Sequence, residues 1–297
     1  MELQDYRREL DTLDDGLLEL FCRRMEIAAK IGAYKKEKGL PVLDASRERE
    51  KLLDVAKKSP EGMEDYTVSL FSLVMELSRS CQNRLNGTES ALTEQIREAI
   101  DSTPQLFPPM ATVACQGEEE DASRFACERL FKLPNILGFN SFDAVFSAVE
   151  KGLCQYGVVP VENSAAGSVN AVYDLMMQHD FRIVRSVRLK TDRGNDYTRF
   201  ICFSRHTEIY PGADRTSLML VLPNKTGSLY KLLSRFYALG INLIKLESRP
   251  MPERNFEFMF YFVLDTSIYS PAFLQLMGEL DSVCEEFHYL GSYSEVI

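Results

Sequence analysis

The run Leu10-Asp-Thr-Leu13-Asp-Asp-Gly-Leu17-Leu-Glu-Leu-Phe21-Cys-Arg-Arg24-Met-Glu-Ile27-Ala28-Ala-Lys-Ile31-Gly-Ala-Tyr-Lys35 decides how the first third of the chain folds. Its apolar residues recur at i, i+3, i+4 and i+7, which predicts one helix over residues 5–38 with a single apolar stripe. Arg24 and Lys35 fall on that stripe. A cation on a buried face is costly unless something anionic meets it. The two lie close to three full turns apart, so they look out of the same face, about 16 Å from each other. Two long side chains can close that span around one small dianion, the first sign of a catalytic pocket.

With 297 residues, 45% of them hydrophobic and 26% charged, the chain is globular and long enough for two or three small domains. No segment approaches the roughly 18 uninterrupted apolar residues of a membrane span. The N-terminus is acidic and helical, unlike a signal peptide, so a cytoplasmic location is expected. Seven cysteines are scattered through apolar patterns without a CxxC spacing, and the three histidines lie far apart. Buried thiols are therefore expected, with neither disulfides nor a zinc site, and no cofactor or metal is called for. The net charge of -10 disfavours nucleic acid as a partner.

Beyond the long helix, a Gly39-Leu-Pro41 break precedes expected helices over residues 45–58 and 65–85, the latter stopped by Asn86-Gly87-Thr88. Residues 91–110 read as a linker, a short helix followed by the proline-rich Thr103-Pro-Gln-Leu-Phe-Pro-Pro109. From Ala111 to about residue 205, β-like runs (112–115, 156–161, 182–189, 200–203) alternate with helical ones (122–131, 141–151, 169–178), which is α/β order. Residues 216–297 read strand, turn, helix, strand, strand, helix, strand, a ferredoxin-like βαββαβ unit. Residues 1–90 are all-α. A helix this long exceeds what its two companions can cover, which predicts an intertwined dimer.

Arg7, Asp14, Arg24, Gly32, Lys35, Pro41, Asp44, Arg47, Glu48, Ser78 and Gln82 resemble, in identity and spacing, the all-helical dimeric chorismate mutases. The resemblance implies a three-helix mutase domain in which Arg24, Arg47 and Arg7 of the partner chain clamp the two carboxylates of chorismate. Lys35 and Gln82 would donate to the ether oxygen, Asp44 and Glu48 would hold the ring hydroxyl, and Ser78 would assist at a carboxylate. The reaction is a pericyclic rearrangement to prephenate. It needs no nucleophile, metal or cofactor, only a compact substrate conformer and donors aimed at the oxygen that gains negative charge. Each residue taken alone could instead belong to an ordinary helix–helix salt bridge.

Residues 111–205 resemble prephenate dehydratase, through Gly138-Phe-Asn-Ser-Phe142, Tyr156-Gly-Val-Val-Pro160, Val161-Glu-Asn-Ser-Ala-Ala-Gly167-Ser-Val169 and Asn195-Asp-Tyr-Thr198-Arg-Phe200. The resemblance implies two α/β lobes with the active site between them and a threonine implicated in catalysis at Thr198. Here the run 182–190 passes within a few residues into the return strand, leaving no sequence for a second lobe. Where the family has a glycine-rich loop to hold an anionic substrate, this chain has Gly117-Glu-Glu-Glu-Asp121. Four acids there oppose a dianion, each close contact by about 4 kcal/mol at an effective dielectric of about 20. Glu162, Asn163, Ser164, Thr198 and Arg199 are therefore expected to be vestigial, in a single lobe kept as a spacer.

Residues 216–297 resemble the ACT domain appended to prephenate dehydratases, through Asn224-Lys-Thr-Gly227-Ser228-Leu229 and Leu246-Glu247-Ser248-Arg249-Pro250. By that resemblance Asn224, Gly227, Ser228, Leu229, Glu247 and Ser248, from adjacent subunits, would bind L-phenylalanine as an effector. The expectation is a multidomain, homo-oligomeric chorismate mutase with a truncated dehydratase and an effector-binding ACT domain. A working bifunctional mutase and dehydratase, and a non-catalytic phenylalanine-binding scaffold, are the alternatives.

Overall fold

The computed structural model describes residues 2–86, 90–117, 121–190, 196–251, 254, 257–280 and 284–297. The chain divides into two compact units, Met1–Glu89 with Gly227–Leu239, and Ser90–Thr226 with Gly240–Ile297.

The first unit is helical. α1 (Leu3–Glu37) and α2 (Ala45–Lys58) both pack on α3 (Glu64–Asn86). Gly39, at φ 64°, ends α1 by taking the left-handed conformation that a side chain would resist. α2 is capped by Asp44, whose carboxylate accepts from the Arg47 N–H at 3.0 Å. Only Ala28 and Gly32 of α1 are buried, while Leu10, Leu13 and Leu17 are each more than half exposed. A further helix joins this unit. α8 (Ser228–Ala238) starts at Gly227, which holds φ 83°, and packs against α3 with Leu232, Arg235 and Phe236 buried.

The second unit opens with α4 (Ala91–Ser102), capped by Ser90, whose hydroxyl accepts from the Thr93 N–H at 3.2 Å. The segment expected as a linker thus carries a packed helix: Ile96 and Ala99 are buried and α4 lies against α9 (Pro271–Leu280). One sheet contains β1 (Met110–Gln116), β2 (Leu133–Phe139), β3 (Tyr156–Asn163), β4 (Gly167–Ser168), β5 (Arg182–Lys190), β6 (Tyr197–Ser204) and β11 (Glu295–Val296). Its order is β2-β1-β3-β6-β5-β11, with β4 paired to β3; β1 runs parallel to β2 and β3, whereas β6 is antiparallel to β3 and β5. α5 (Ala122–Leu130), α6 (Phe142–Glu150) and α7 (Asn170–Gln178) complete this layer.

The other sheet is antiparallel, in the order β10-β7-β9-β8, from β7 (Arg215–Val221), β8 (Asn242–Pro250), β9 (Phe258–Asp265) and β10 (Glu286–Tyr293). With α8 and α9 placed in chain order the sequence is βαββαβ. The expected boundary between an α/β lobe and a separate last domain is absent from the packing. One core joins Val145, Phe146, Ile183 and Ile201 to Met219, Tyr261 and Leu290, and β10 packs on β5. A Cβ on Gly291 would sit 2.3 Å from the Ile183 carbonyl oxygen, so only glycine lets the two strands approach this closely. The chain then crosses into the first sheet, where β11 runs parallel to β5.

No helix among the described residues is long and apolar enough to cross a membrane. Four of the seven cysteines are buried; Cys22 is exposed and Cys81 and Cys284 are intermediate, contrary to the expectation of buried thiols throughout.

Candidate active site

In the helical unit, Gly32 places α1 against α3 so tightly that a Cβ there would meet Gln82 Cγ at 3.0 Å. That approach brings the side chains of the two helices face to face. Arg24 is half-buried, and its Nη1 donates to the Val74 carbonyl oxygen at 3.2 Å and to Ser78 Oγ. Ser78 is buried and donates to the same carbonyl at 2.7 Å. Gln82, one turn further along α3, is buried, and its Oε1 has no hydrogen-bond partner among the described residues. Lys35 donates to the Val42 carbonyl oxygen at 2.6 Å, at the entry to α2.

Arg24 makes no carboxylate ion pair among the described residues. Burial lowers its pKa, and the nearby Glu48 only partly opposes this. A guanidinium stays protonated in proteins regardless, so Arg24 presents a partly desolvated positive charge to any anion that enters. Asp44 is held below the usual carboxylate range, first by the Arg47 N–H, then by the Ser46 hydroxyl, with Lys35 contributing at longer range. Glu48 accepts from Arg79, which also donates to Glu76. Two expected residues stand apart. Arg47 is exposed and pairs with Glu50 at 2.6 Å. Arg7 is exposed near the start of α1, about 26 Å from Arg24 along the helix at 1.5 Å per residue.

In the second unit, Glu162, Asn163, Ser164, Arg188, Tyr197 and Arg199 line one open pocket. Thr198 accepts from Asn163 Nδ2 at 2.9 Å, and Ser164 Oγ accepts from the Tyr197 N–H at 2.9 Å. Glu162 is held from two sides, by Arg199 and by Lys245 at 2.5 Å. Arg199 also pairs with Glu295 at 2.6 Å, and Arg215 reaches Glu295 at 3.2 Å. Lys190 pairs with Tyr197 across β5 and β6, so the connection between these strands spans only residues 191–196. The acidic residues Glu118, Glu119 and Glu120, and Asn195, lie outside the described residues.

Of the expected effector residues, Asn224, Gly227 and Ser248 are exposed, and Ser228 and Leu229 are half-buried. Glu247 is engaged within its own unit, accepting from Ser168 Oγ at 2.7 Å. Lys245 and Glu295 take part in the second-unit network and Arg188 lines its pocket, although nothing in the sequence singled them out. Lys245 and Glu247 are two apart on one strand and so share a face, the one available signal.

Residues 6–83 match the family model for chorismate mutase type II, and residues 113–193 match that for prephenate dehydratase. A bifunctional chorismate mutase/prephenate dehydratase from Aquifex aeolicus is 22% identical over 100% of this chain and 99% of its own length. The chain thus carries a chorismate mutase type II domain and a prephenate dehydratase domain, and it is similar along its whole length to a protein described as having both activities. The Aquifex alignment runs over 378 positions although this chain has 297 residues, so the surplus positions face gaps. The Escherichia coli enzyme of the same description is 32% identical, over 63% of this chain and 46% of its own length.

Among solved structures, prephenate dehydratase from Streptococcus mutans is similar at TM-score 0.57 and 29% identity, covering 63% of this chain and 99% of that one. GqqA, described as a novel type of quorum quenching acylase, matches at 0.55 and 26%, over 61% and 94%. A prephenate dehydratase in complex with L-Phe from Arthrobacter aurescens shares the fold at 0.55 and 17%, over 62% and 90%. The helical unit thus contains the chorismate mutase type II domain, and the seven-stranded sheet belongs to the prephenate dehydratase-type α/β part.

Proposed function

We propose that this protein converts chorismate to prephenate in its helical unit and has lost the dehydratase reaction. The observation that carries the mutase reading is Arg24, a half-buried guanidinium without a carboxylate partner among the described residues, facing Ser78 beside the unpartnered Oε1 of Gln82. Such a group is costly in an empty fold and suited to a substrate carboxylate, which it can grip bidentately. Arg24 and Arg47, with Arg7 from a second copy of the chain, would hold the two carboxylates. Lys35 would turn from the Val42 carbonyl to the ether oxygen, joined by Gln82, as charge builds there. Asp44 and Glu48 would receive the ring hydroxyl. The catalytic work is to hold the compact conformer and to stabilise the developing oxyanion in place.

Loss of the dehydratase reaction is supported by the hairpin between β5 and β6 and by the neutralised ion network at Glu162. A dianionic substrate would have to compete with Glu162 and Glu295 for Arg199. Likeness of fold does not decide the matter, since dehydratases and an acylase share it. The βαββαβ unit is read as an ACT domain that binds L-phenylalanine and regulates the mutase. Its support is the glycine-initiated helix at Gly227 and the L-Phe complex of a protein with the same fold.

The test is to incubate the protein with chorismate at neutral pH, with and without L-phenylalanine, and to separate prephenate from phenylpyruvate. Prephenate alone, formed at a rate that phenylalanine changes, is the expected result. Phenylpyruvate above the spontaneous background would restore the bifunctional reading. Unconsumed chorismate would leave the protein a phenylalanine-binding scaffold.

A further inference from the structure

The family's expected substrate residues do not account for the most deeply buried charges of the helical unit. Glu76 on α3 is 3% exposed and Arg235 on α8 is 5% exposed. Arg235 Nε donates to Glu76 Oε1, and the other oxygen of Glu76 accepts from Arg79. Arg79 in turn donates to Glu48, which lies on α2. Four charges of alternating sign therefore run from α8 across α3 to the candidate active site. Burial alone would lower the Arg79 pKa, yet Glu76 and Glu48 together raise it, so the cation is firmly held between its two carboxylates.

We propose that Arg79, held by Glu76 and through it by Arg235, positions the Glu48 carboxylate, which makes α8 a control element on the mutase pocket; this rests on the mutase reading above. The alternation gives the reason. Glu48 is near enough to Arg24 to shift its titration. While Arg79 holds Glu48, Arg24 is left for the substrate. Without Arg235, the buried Glu76 keeps only one cation and draws Arg79 toward itself. Glu48, released, swings to Arg24 and competes with the substrate carboxylate for the same guanidinium. Weaker substrate binding, rather than slower chemistry, is the signature of that competition. The helix that carries Arg235 begins at Gly227, so a ligand that tightened this turn would act on the pocket through the same four charges.

The experiment is a double-mutant cycle read by mutase kinetics, with the fold of each variant followed by thermal melting. Arg235→Met is expected to raise KM for chorismate about tenfold, with a smaller change in kcat, a coupling of ordinary size for neighbouring charges. Arg235→Lys, which keeps the charge, is expected to recover most of the lost affinity. In a Glu48→Gln background, where no carboxylate remains to compete for Arg24, Arg235→Met is expected to add nothing. Effects that multiply in the double variant, or a fall in kcat at unchanged KM, would overturn the proposal and leave Arg235 a merely structural group. If Arg235→Met unfolds, Arg235→Gln, which keeps a hydrogen bond to Glu76 without the charge, carries the same comparison. Unsubstituted protein that leaves chorismate unconverted would sink the mutase reading and this proposal together; conversion with multiplying effects sinks only the proposal.

Discussion

Lys35 and Arg24 carry different parts of the proposed chemistry, and single substitutions separate them. Lys35→Ala removes a point donor at the ether oxygen and is expected to lower kcat by two to three orders of magnitude, or about 3–4 kcal/mol, as for loss of an oxyanion donor. Thermal melting should be nearly unchanged, because among the described residues Lys35 donates a hydrogen bond only to the Val42 carbonyl; a folded variant of unaltered rate would remove Lys35 from the site. Asp44 gives a test in pH. Its folded pKa lies below the ordinary carboxylate value, so the N-cap adds stability above that value and loses it as pH falls through the folded pKa. The melting difference between the unsubstituted protein and Asp44→Ala is therefore expected to hold near pH 6 and to close in the acid range below about pH 4. A difference that widened on acidification would contradict the cap. The positions of Arg24, Lys35, Ser78 and Gln82 were legible from helical spacing, since each repeats a helix face. Arg79 and Glu76 were not, because an i,i+3 pair of opposite charges on a helix reads as an ordinary surface pair until a third charge arrives from a distant segment.

Helices announce themselves by period and caps, and here α2 begins and ends where Asp44 and the last periodic residue place it. Strands at a sheet edge do not. β2 contains Pro134 and Gly138, which depress strand propensity, yet as the last strand of its sheet it tolerates a residue without an N–H. β4 and β11 are two residues each and carry no pattern at all. Two element-scale substitutions follow from packing. A Cβ on Gly157 would fall 2.3 Å from the ring of Phe203, which is stacked on Phe146 with centroids 4.5 Å apart. Gly157→Ala is expected to destabilise the second unit by about 1–3 kcal/mol in denaturant titration, and Phe203→Leu to relieve part of that in the double variant. On α1 the exposed Leu13 and Leu17 form an apolar stripe in search of a partner. Leu13→Glu with Leu17→Glu is expected to yield monomers in sedimentation and to abolish mutase activity; active monomers would refute the shared site.

For the whole molecule, the division of labour was legible only in part. Three motif sets predict three domains along the sequence, but contacts group residues 90–226 with 240–297, because a strand pairing and a common core cannot be seen before the chain is folded. If the mutase site is shared between copies, a mixed dimer of Arg7→Ala chains with Lys35→Ala chains is expected to regain about a quarter to a half of the unsubstituted rate, since one of its two pockets is intact. Rates no better than either parent would place both residues in one chain's pocket. β11 carries a last consequence. The sheet begun by β1 at residue 110 acquires its outermost strand at residues 295–296, and Gly291 seats β10 on β5 only shortly before. During synthesis the α/β layer therefore leaves the ribosome with one edge open and part of its core exposed, while the helical hairpin of α1, α2 and α3 can already form. Nascent chains of this protein are expected to depend on chaperones for the time needed to translate the last hundred residues, a vulnerability set by topology and not by final stability.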